Sequence, residues 1–365
     1  MNPAPRLGNN PIEMNSSRRV LIPRRDWRST SHVFVIEIIE MMAVTSRIDK
    51  RSSAAVAATI ISPIAKPVMV CVTAAKATIK RKTPKVGKSI SVFRYTGFKL
   101  QLKINMELEL TARTVFVSGS HRGTGRTIAN HFKAEGARVI VHGPDKASLL
   151  PLQADFPLGV TGALWTDEGC QAVIAQIQQH TQTLDVLVNN YGTAGQGTWT
   201  STSADDWRDL YEHNVLSVSR ITQGLLPMLN ASPQGRIINL GTIGSTRPNK
   251  TMPHYYSAKG ALATLTAGLA KAVESKQLTV NLVSPGLIRT PEVEAAYLST
   301  AQKRGWGETF EAAEEKITEA FFENPLGRIA TRAEVADIVV FLASARASFV
   351  NGQNIRVDGG AVGIV

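Results

Sequence analysis

Residues 113–118 (RTVFVS) are an apolar run of strand length. They pass directly into Gly119-Ser-His-Arg-Gly123-Thr-Gly125, after which residues 126–135 show helical spacing. Strand, glycine loop, helix is the order in which a chain cradles a nucleotide. Glycines let the backbone turn tightly and approach a pyrophosphate, whose charge rests on the exposed N–H groups at the helix start. The loop reads G-x-x-x-G-x-G rather than G-x-G-x-x-G, so taken alone it is equally plain punctuation. Its main constraint is topological: a buried strand feeding straight into a helix belongs in a parallel, helix-covered sheet.

A second pattern lies further along. Asn214, Thr242, Tyr255 and Lys259 stand at spacings that one chemistry explains, with Tyr255 thirteen residues after Thr242 and Lys259 four beyond that. On a helix the i, i+4 pair shares a face, and an ammonium beside a phenol favours the phenolate. Lowering a tyrosine pKa from about 10 by roughly three units requires about 4 kcal/mol. One lysine charge at about 4 Å supplies roughly that much at an effective dielectric near 20. The same spacing on an exposed helix is usually a solvated face, so the pair gains meaning only beside the glycine loop.

With both signals present in this order, the chain from Leu110 onward resembles the short-chain dehydrogenase/reductase family, most closely in pattern its 3-oxoacyl-acyl-carrier-protein reductase-like members. Asn189-Asn190-Tyr191-Gly192 after an apolar strand resembles the family's Asn-Asn-Ala-Gly element, with tyrosine for alanine. His213-Asn214-Val215 resembles the segment carrying its catalytic asparagine. Residues 236–240 (RIINL) resemble the strand before the catalytic hydroxyl, and residues 281–290, with Pro285-Gly286, the segment at the nicotinamide end. Residues 351–360 are similar to the family's last strand.

The resemblance implies that Asn214, Thr242, Tyr255 and Lys259 are catalytic. It implies a cofactor site at Gly119, His121, Arg122, Gly123, Thr124, Gly125, Asn189, Gly192, Tyr255, Lys259, Pro285, Gly286, Ile288 and Thr290, with no metal. The family usually has serine at the position of Thr242, and Ser245 is the rival hydroxyl. Leu164 falls where an aspartate commonly contacts the adenine. Gly143 falls where a carboxylate would select NAD, and Arg122 is placed for a 2′-phosphate, so NADP is expected as the preferred cofactor, with NAD possible. Asp145 nearby would oppose that phosphate. The implied reaction is reversible hydride transfer between nicotinamide and a ketone or secondary alcohol. The alternative is a catalytically silent dinucleotide-binding sensor or scaffold.

The expected fold class is α/β: a single doubly wound Rossmann domain with a parallel sheet and helices on both faces, preceded by a basic N-terminal extension. Strands are expected at 113–118, 138–142, 184–189, 236–240, 279–283 and 353–358, and a lid at 291–324 in which Trp306 is either a movable cover or simple packing. The whole chain carries a formal net charge of +12, which by itself would suggest a polyanionic partner. The excess is confined to residues 1–105, with 19 Lys and Arg against 5 Asp and Glu; residues 106–365 hold 22 against 24. A basic nucleic-acid-binding arm therefore rests on the extension alone, and neither a nucleic-acid nor a membrane partner is expected. Residues 1–105 read as low in structure, and as a mis-called start or a leader, with Met106 opening the family's usual lead-in. Two cysteines, Cys71 and Cys170, make no disulfide framework and fit a cytoplasmic setting. The family's habit implies a homodimer or homotetramer built on helices near 205–229 and 257–271.

Overall fold

The computed structural model describes residues 107–363 and, before them, the backbone of β1 (Ala58–Ile60) and β2 (Val68–Val70), an antiparallel pair. The remaining expectations for residues 1–105 lie outside the described residues. The chain divides into two units at Met106, and the second carries the fold that follows.

Seven parallel strands form its sheet: β3 (Thr114–Val117), β4 (Arg138–Gly143), β5 (Leu158–Thr161), β6 (Val186–Asn189), β7 (Arg236–Leu240), β8 (Thr279–Pro285) and β9 (Asn354–Val357). Their order is β5-β4-β3-β6-β7-β8-β9, so the chain reverses direction across the sheet between β3 and β6. That reversal opens a crevice at the C-terminal strand ends, where ligands bind in such sheets. β3 is buried at all four positions, as its unbroken TVFV run requires when helices cover both faces.

Helix α1 (Gly123–Ala134) starts at a loop glycine, earlier than its periodic stretch suggests, and buries Ile128, Ala129 and Phe132. α2 (Lys146–Leu149) is a single turn, and α3 (Asp167–His180), α4 (Ala204–Tyr211), α5 (Ser217–Asn230) and α6 (Pro253–Ala272) complete the crossovers of the middle of the chain. α7 (Pro291–Lys303) and α8 (Phe310–Phe321) occupy the segment expected as a lid, and α9 (Arg332–Ala343) returns to the sheet. On one face α1 packs against Val335, Ala336, Val339 and Val340 of α9. On the other, Val173 and Ile177 of α3 meet Ile221 and Leu225 of α5 over Phe116 and Leu187. Each such aliphatic side chain contributes about 1.5–3 kcal/mol by leaving water.

β5 is not among the expected strands. It is a half-buried edge strand (LGVT) carrying a glycine, so it lacks the apolar run that marks its neighbours. Within this segment, Phe310, Ala313 and Ile317 of α8 form a small cluster with Ala301 and Ile329, and Trp306 packs against it under the Arg304 guanidinium, 4.8 Å from the ring centroid. Trp306 is therefore packing. Cys170 is buried on α3, its thiol donating to Leu164 O at 3.2 Å, and burial pushes its pKa up to about 11. Among the described residues no helix is long and apolar enough to cross a membrane.

Candidate active site

The crevice is built by loops that leave the C-terminal ends of the strands. After β3 the chain turns at Gly119 (φ +64°) and Gly123 (φ +58°), conformations that a side chain would strain. A Cβ at Gly125 would collide with the Asn190 amide and lie 2.5 Å from Gly119 O, so only glycine lets α1 sit this close to the loop. α1 begins with no side-chain cap and no acid in its first turn, behind an extended Arg122. Its first N–H groups thus face the crevice beside His121, Arg122 and Thr124, a ready seat for an anion. Burial, and then the Arg122 charge, lower the pKa of His121, whose buried Nδ1 has no partner.

Ser118 and Asn190 join this loop to the one after β6. Ser118 Oγ accepts from Asn190 N at 3.0 Å and Tyr191 N at 2.9 Å, and the Asn190 amide donates to Ser118 O and Gly119 O. Asn189, the expected cofactor residue, instead points into the core. Its amide donates to Thr222 Oγ1 and Asn239 Oδ1, and Asn239 donates in turn to Thr266 Oγ1 on α6. The alternation of a strand decides this: Asn189 is the last residue of β6 and faces the α6 side, leaving Asn190 to meet the loop. The chain Asn189–Asn239–Thr266 locks α6 to the sheet.

His142 was not singled out from sequence. Buried near the end of β4, it accepts from Gly119 N through Nδ1 at 2.9 Å and, as the Nε2–H tautomer, donates to Gly162 O at 3.0 Å. Burial lowers its pKa to about 4, so it is neutral and holds the glycine loop to the end of β5. A histidine within a strand otherwise reading RVIVHG is the only signal that could have pointed to it.

Asn214 lies in a π-helical turn, Glu212–Leu216, between α4 and α5. Its amide donates to Thr193 O and Leu210 O, both at 2.9 Å. Its Oδ1 is buried without a partner. A Cβ at Gly192 would lie 2.5 Å from that oxygen and 3.2 Å from Lys259 Nζ, so the two polar groups border one small gap that Gly192 leaves open.

Thr242 caps the 3-10 turn Ile243–Ser245, its Oγ1 accepting from Gly244 N at 3.2 Å and keeping its own proton. The rival Ser245 donates its hydroxyl to Thr242 O at 2.8 Å. Tyr255 and Lys259 lie one turn apart at the start of α6, which opens from a left-handed Met252. Lys259 Nζ donates to Leu240 O, the last residue of β7, at 2.8 Å. Burial alone lowers Lys259 to about 8, and burial, then Tyr256, push Tyr255 up to about 12. The phenol is thus shifted opposite to the expected lowering by the lysine: Lys259 is buried with its ammonium turned to the Leu240 carbonyl, while Tyr255 is partly buried.

After β8, Gly286 N donates to Val357 O, and a Cβ at Gly286 would strike the Phe322 ring. Ile288 pairs with Ala330, and Thr290 caps α7 by accepting from Val293 N. Pro285, Gly286, Ile288 and Thr290 thus run from the end of β8 to the start of α7. A dinucleotide fits these residues: the glycine cradle and the uncapped helix start suit its phosphates, and the unpartnered Asn214 Oδ1 marks a polar gap beside Lys259.

A short-chain dehydrogenase family model, described as enoyl-(acyl carrier protein) reductase, matches residues 119–362. The chain belongs to the short-chain dehydrogenase/reductase family. An uncharacterised oxidoreductase of Bacillus subtilis is 32% identical over 263 residues, covering 70% of this chain and 99% of that protein. The 3-oxoacyl-acyl-carrier-protein reductase of Vibrio cholerae is 28% identical over 256 residues, 69% of this chain and 98% of its own. Among solved structures, the L-sorbose reductase of Gluconobacter frateurii in complex with NADPH and L-sorbose is 28% identical, with a TM-score of 0.66 over 71% of this chain and 100% of its own. This short-chain dehydrogenase/reductase, an oxidoreductase by family, departs from the resemblance at Thr242, Tyr191 and Leu164. Leu164 is buried in the core, which removes it from any contact with a ligand.

Proposed function

We propose that this oxidoreductase transfers hydride reversibly between NADP(H) and a ketone or secondary alcohol. The observation that carries it is the arrangement of four groups around one end of the crevice: the Thr242 hydroxyl with its proton free, Tyr255 and Lys259 on one turn of α6, and the unpartnered Asn214 Oδ1 across the Gly192 gap. When bound, the nicotinamide supplies or takes up the hydride.

In the reductive direction Tyr255 gives its proton to the carbonyl oxygen while Thr242 donates a hydrogen bond to the same atom. A phenol held near 12 keeps its proton until negative charge builds on that oxygen, and Lys259, half charged near pH 8, then stabilises the phenolate left behind. Lys259 also holds the nicotinamide ribose. The gap between Lys259 Nζ and Asn214 Oδ1 accepts a water that returns a proton toward solvent.

The preference for NADP is supported by the residues after β4. Gly143 offers no carboxylate to a ribose, and Asp145 is engaged in accepting from Ser148 N at 2.8 Å as the cap of α2. Exposed Arg122 is then free to pair with a 2′-phosphate. Arg122→Ala should weaken NADPH binding roughly tenfold and spare NADH, measured by fluorescence titration; equal losses on both would remove this role. A second copy of the chain is the expected partner. α6 turns Gly260 and Gly268 outward, where an added Cβ would meet nothing within 4 Å, a surface that another helix can approach closely.

The test of the reaction is a panel of ketones and alcohols followed by absorbance of the reduced nicotinamide. Turnover of at least one member with NADPH is expected. Tight NADPH binding with no turnover across the panel would favour the silent sensor instead.

A further inference from the structure

The family's Asn-Asn-Ala-Gly element has alanine where this chain has Tyr191, and the larger residue is fully engaged. Tyr191 OH donates to His213 Nδ1 at 2.5 Å, and His213 Nε2 faces Asp209 Oδ1 one turn back on α4 at 3.4 Å. Trp165 stacks on the His213 ring (centroids 5.2 Å apart, planes 18°) and on the Tyr191 ring (6.2 Å, 22°). His142, which holds the glycine loop, meets Tyr191 edge-on at 6.4 Å. Each partner in the Tyr191–His213 bond is next in sequence to one wall of the polar gap: Tyr191 precedes Gly192, and His213 precedes Asn214.

We propose, resting on the reading above, that Tyr191 and His213 are positioning residues whose hydrogen bond braces the π-helical turn against the loop after β6 and so fixes Asn214 Oδ1 relative to Lys259. A π-helical turn is a rare register, wider than the α-helix around it, so contacts from outside the helix help to define it. Here Asn214 itself supplies one such contact, donating to Thr193 O in the loop after β6, and donates also to Leu210 O within the helix. The Tyr191 bond and the stack of Trp165 on His213 hold the neighbouring residue of the same turn. An alanine at position 191 could neither make that bond nor extend the stack on Trp165.

The full chain carries the test, in the variants Tyr191→Phe, His213→Leu, their double and His213→Gln, with Tyr255→Phe as the control for the reaction itself. Tyr191→Phe keeps the ring stack and removes only the hydroxyl. It should speed amide exchange within residues 212–216, leave exchange in α1 and α9 unchanged, and lower kcat roughly 3- to 10-fold with KM for NADPH within about twofold. The double variant should lose no more than the worse single one, because both remove the same bond. His213→Gln, whose carboxamide oxygen can accept from Tyr191, should keep more than about half of kcat. Unchanged exchange at 212–216 in Tyr191→Phe, or losses that multiply in the double variant, would overturn the brace. Retained turnover in Tyr255→Phe would instead strike at the proposed reaction, and the exchange measurement still judges the brace in that case.

Discussion

At the scale of single residues, the assignment of the hydroxyl and of the acid can be separated by substitution. Tyr255→Phe keeps the ring and deletes the proton carrier, so turnover should fall by roughly 10²–10⁴-fold while NADPH binding stays largely intact. Thr242→Ala should be severe as well. Ser245→Ala should be mild, because that hydroxyl already donates to Thr242 O inside its own turn. His142 gives a prediction in pH. Its folded pKa of about 4 lies below its ordinary 6.5, so between these values the unfolded chain binds the extra proton and stability falls as the pH drops. The contribution amounts to roughly 3 kcal/mol across that window. His142→Gln, which does not titrate, should show a flatter acid limb than wild type in denaturant titrations at pH 7, 5.5 and 4.5, whatever its stability at pH 7; parallel limbs would remove His142 from this role. The sequence proposes Thr242, Tyr255 and Lys259 by their close spacing and Asn214 by the family resemblance, and these four remain the proposed tetrad. His142 and the exchange of roles between Asn189 and Asn190 were not legible there, since they depend on which way a strand residue faces at its last position, which a short polar ending leaves open.

At the scale of elements, the buried strands β3, β4, β6, β7 and β8 announced themselves as apolar runs, whereas β5 at the sheet edge did not. The π-helical turn was invisible for a different reason: one inserted residue shifts a helix face by about 100° without interrupting its helical composition. Its purpose can be tested by removing that residue. Deleting Leu216, which is partly exposed at the end of the turn, should let α4 and α5 join as one regular helix and carry Asn214 off the gap. The expected result is a loss of kcat of about tenfold or more with a thermal midpoint within a few degrees of wild type, since an α-helical register is no less stable than a π-helical one. A fully active deletion variant would show that the turn serves only packing. The segment from Pro291 onward is legible as helices around Gly305 and Gly307, but the role of Trp306 is not, because an aromatic between glycines reads the same whether it is free or packed.

At the scale of the molecule, every strand of the seven-stranded sheet and every group of the proposed site lies beyond Met106. We therefore expect a protein beginning at Met106 to assemble and to match the full chain in kcat and KM within about twofold, checked by steady-state assay and sedimentation; a loss well beyond that would assign residues 1–105 a part in the enzyme. Such a protein would contain a single cysteine, Cys170. With its thiol sealed between α3 and the Leu164 carbonyl and its pKa near 11, it is doubly protected from alkylation at neutral pH. Any labelling then has to wait for α3 to lift from the sheet. Pulsed alkylation followed by mass analysis would turn this one thiol into a clock for opening on the side of the sheet that carries Tyr191 and the π-helical turn, and a slower clock with NADPH present would measure how firmly the cofactor holds that side shut.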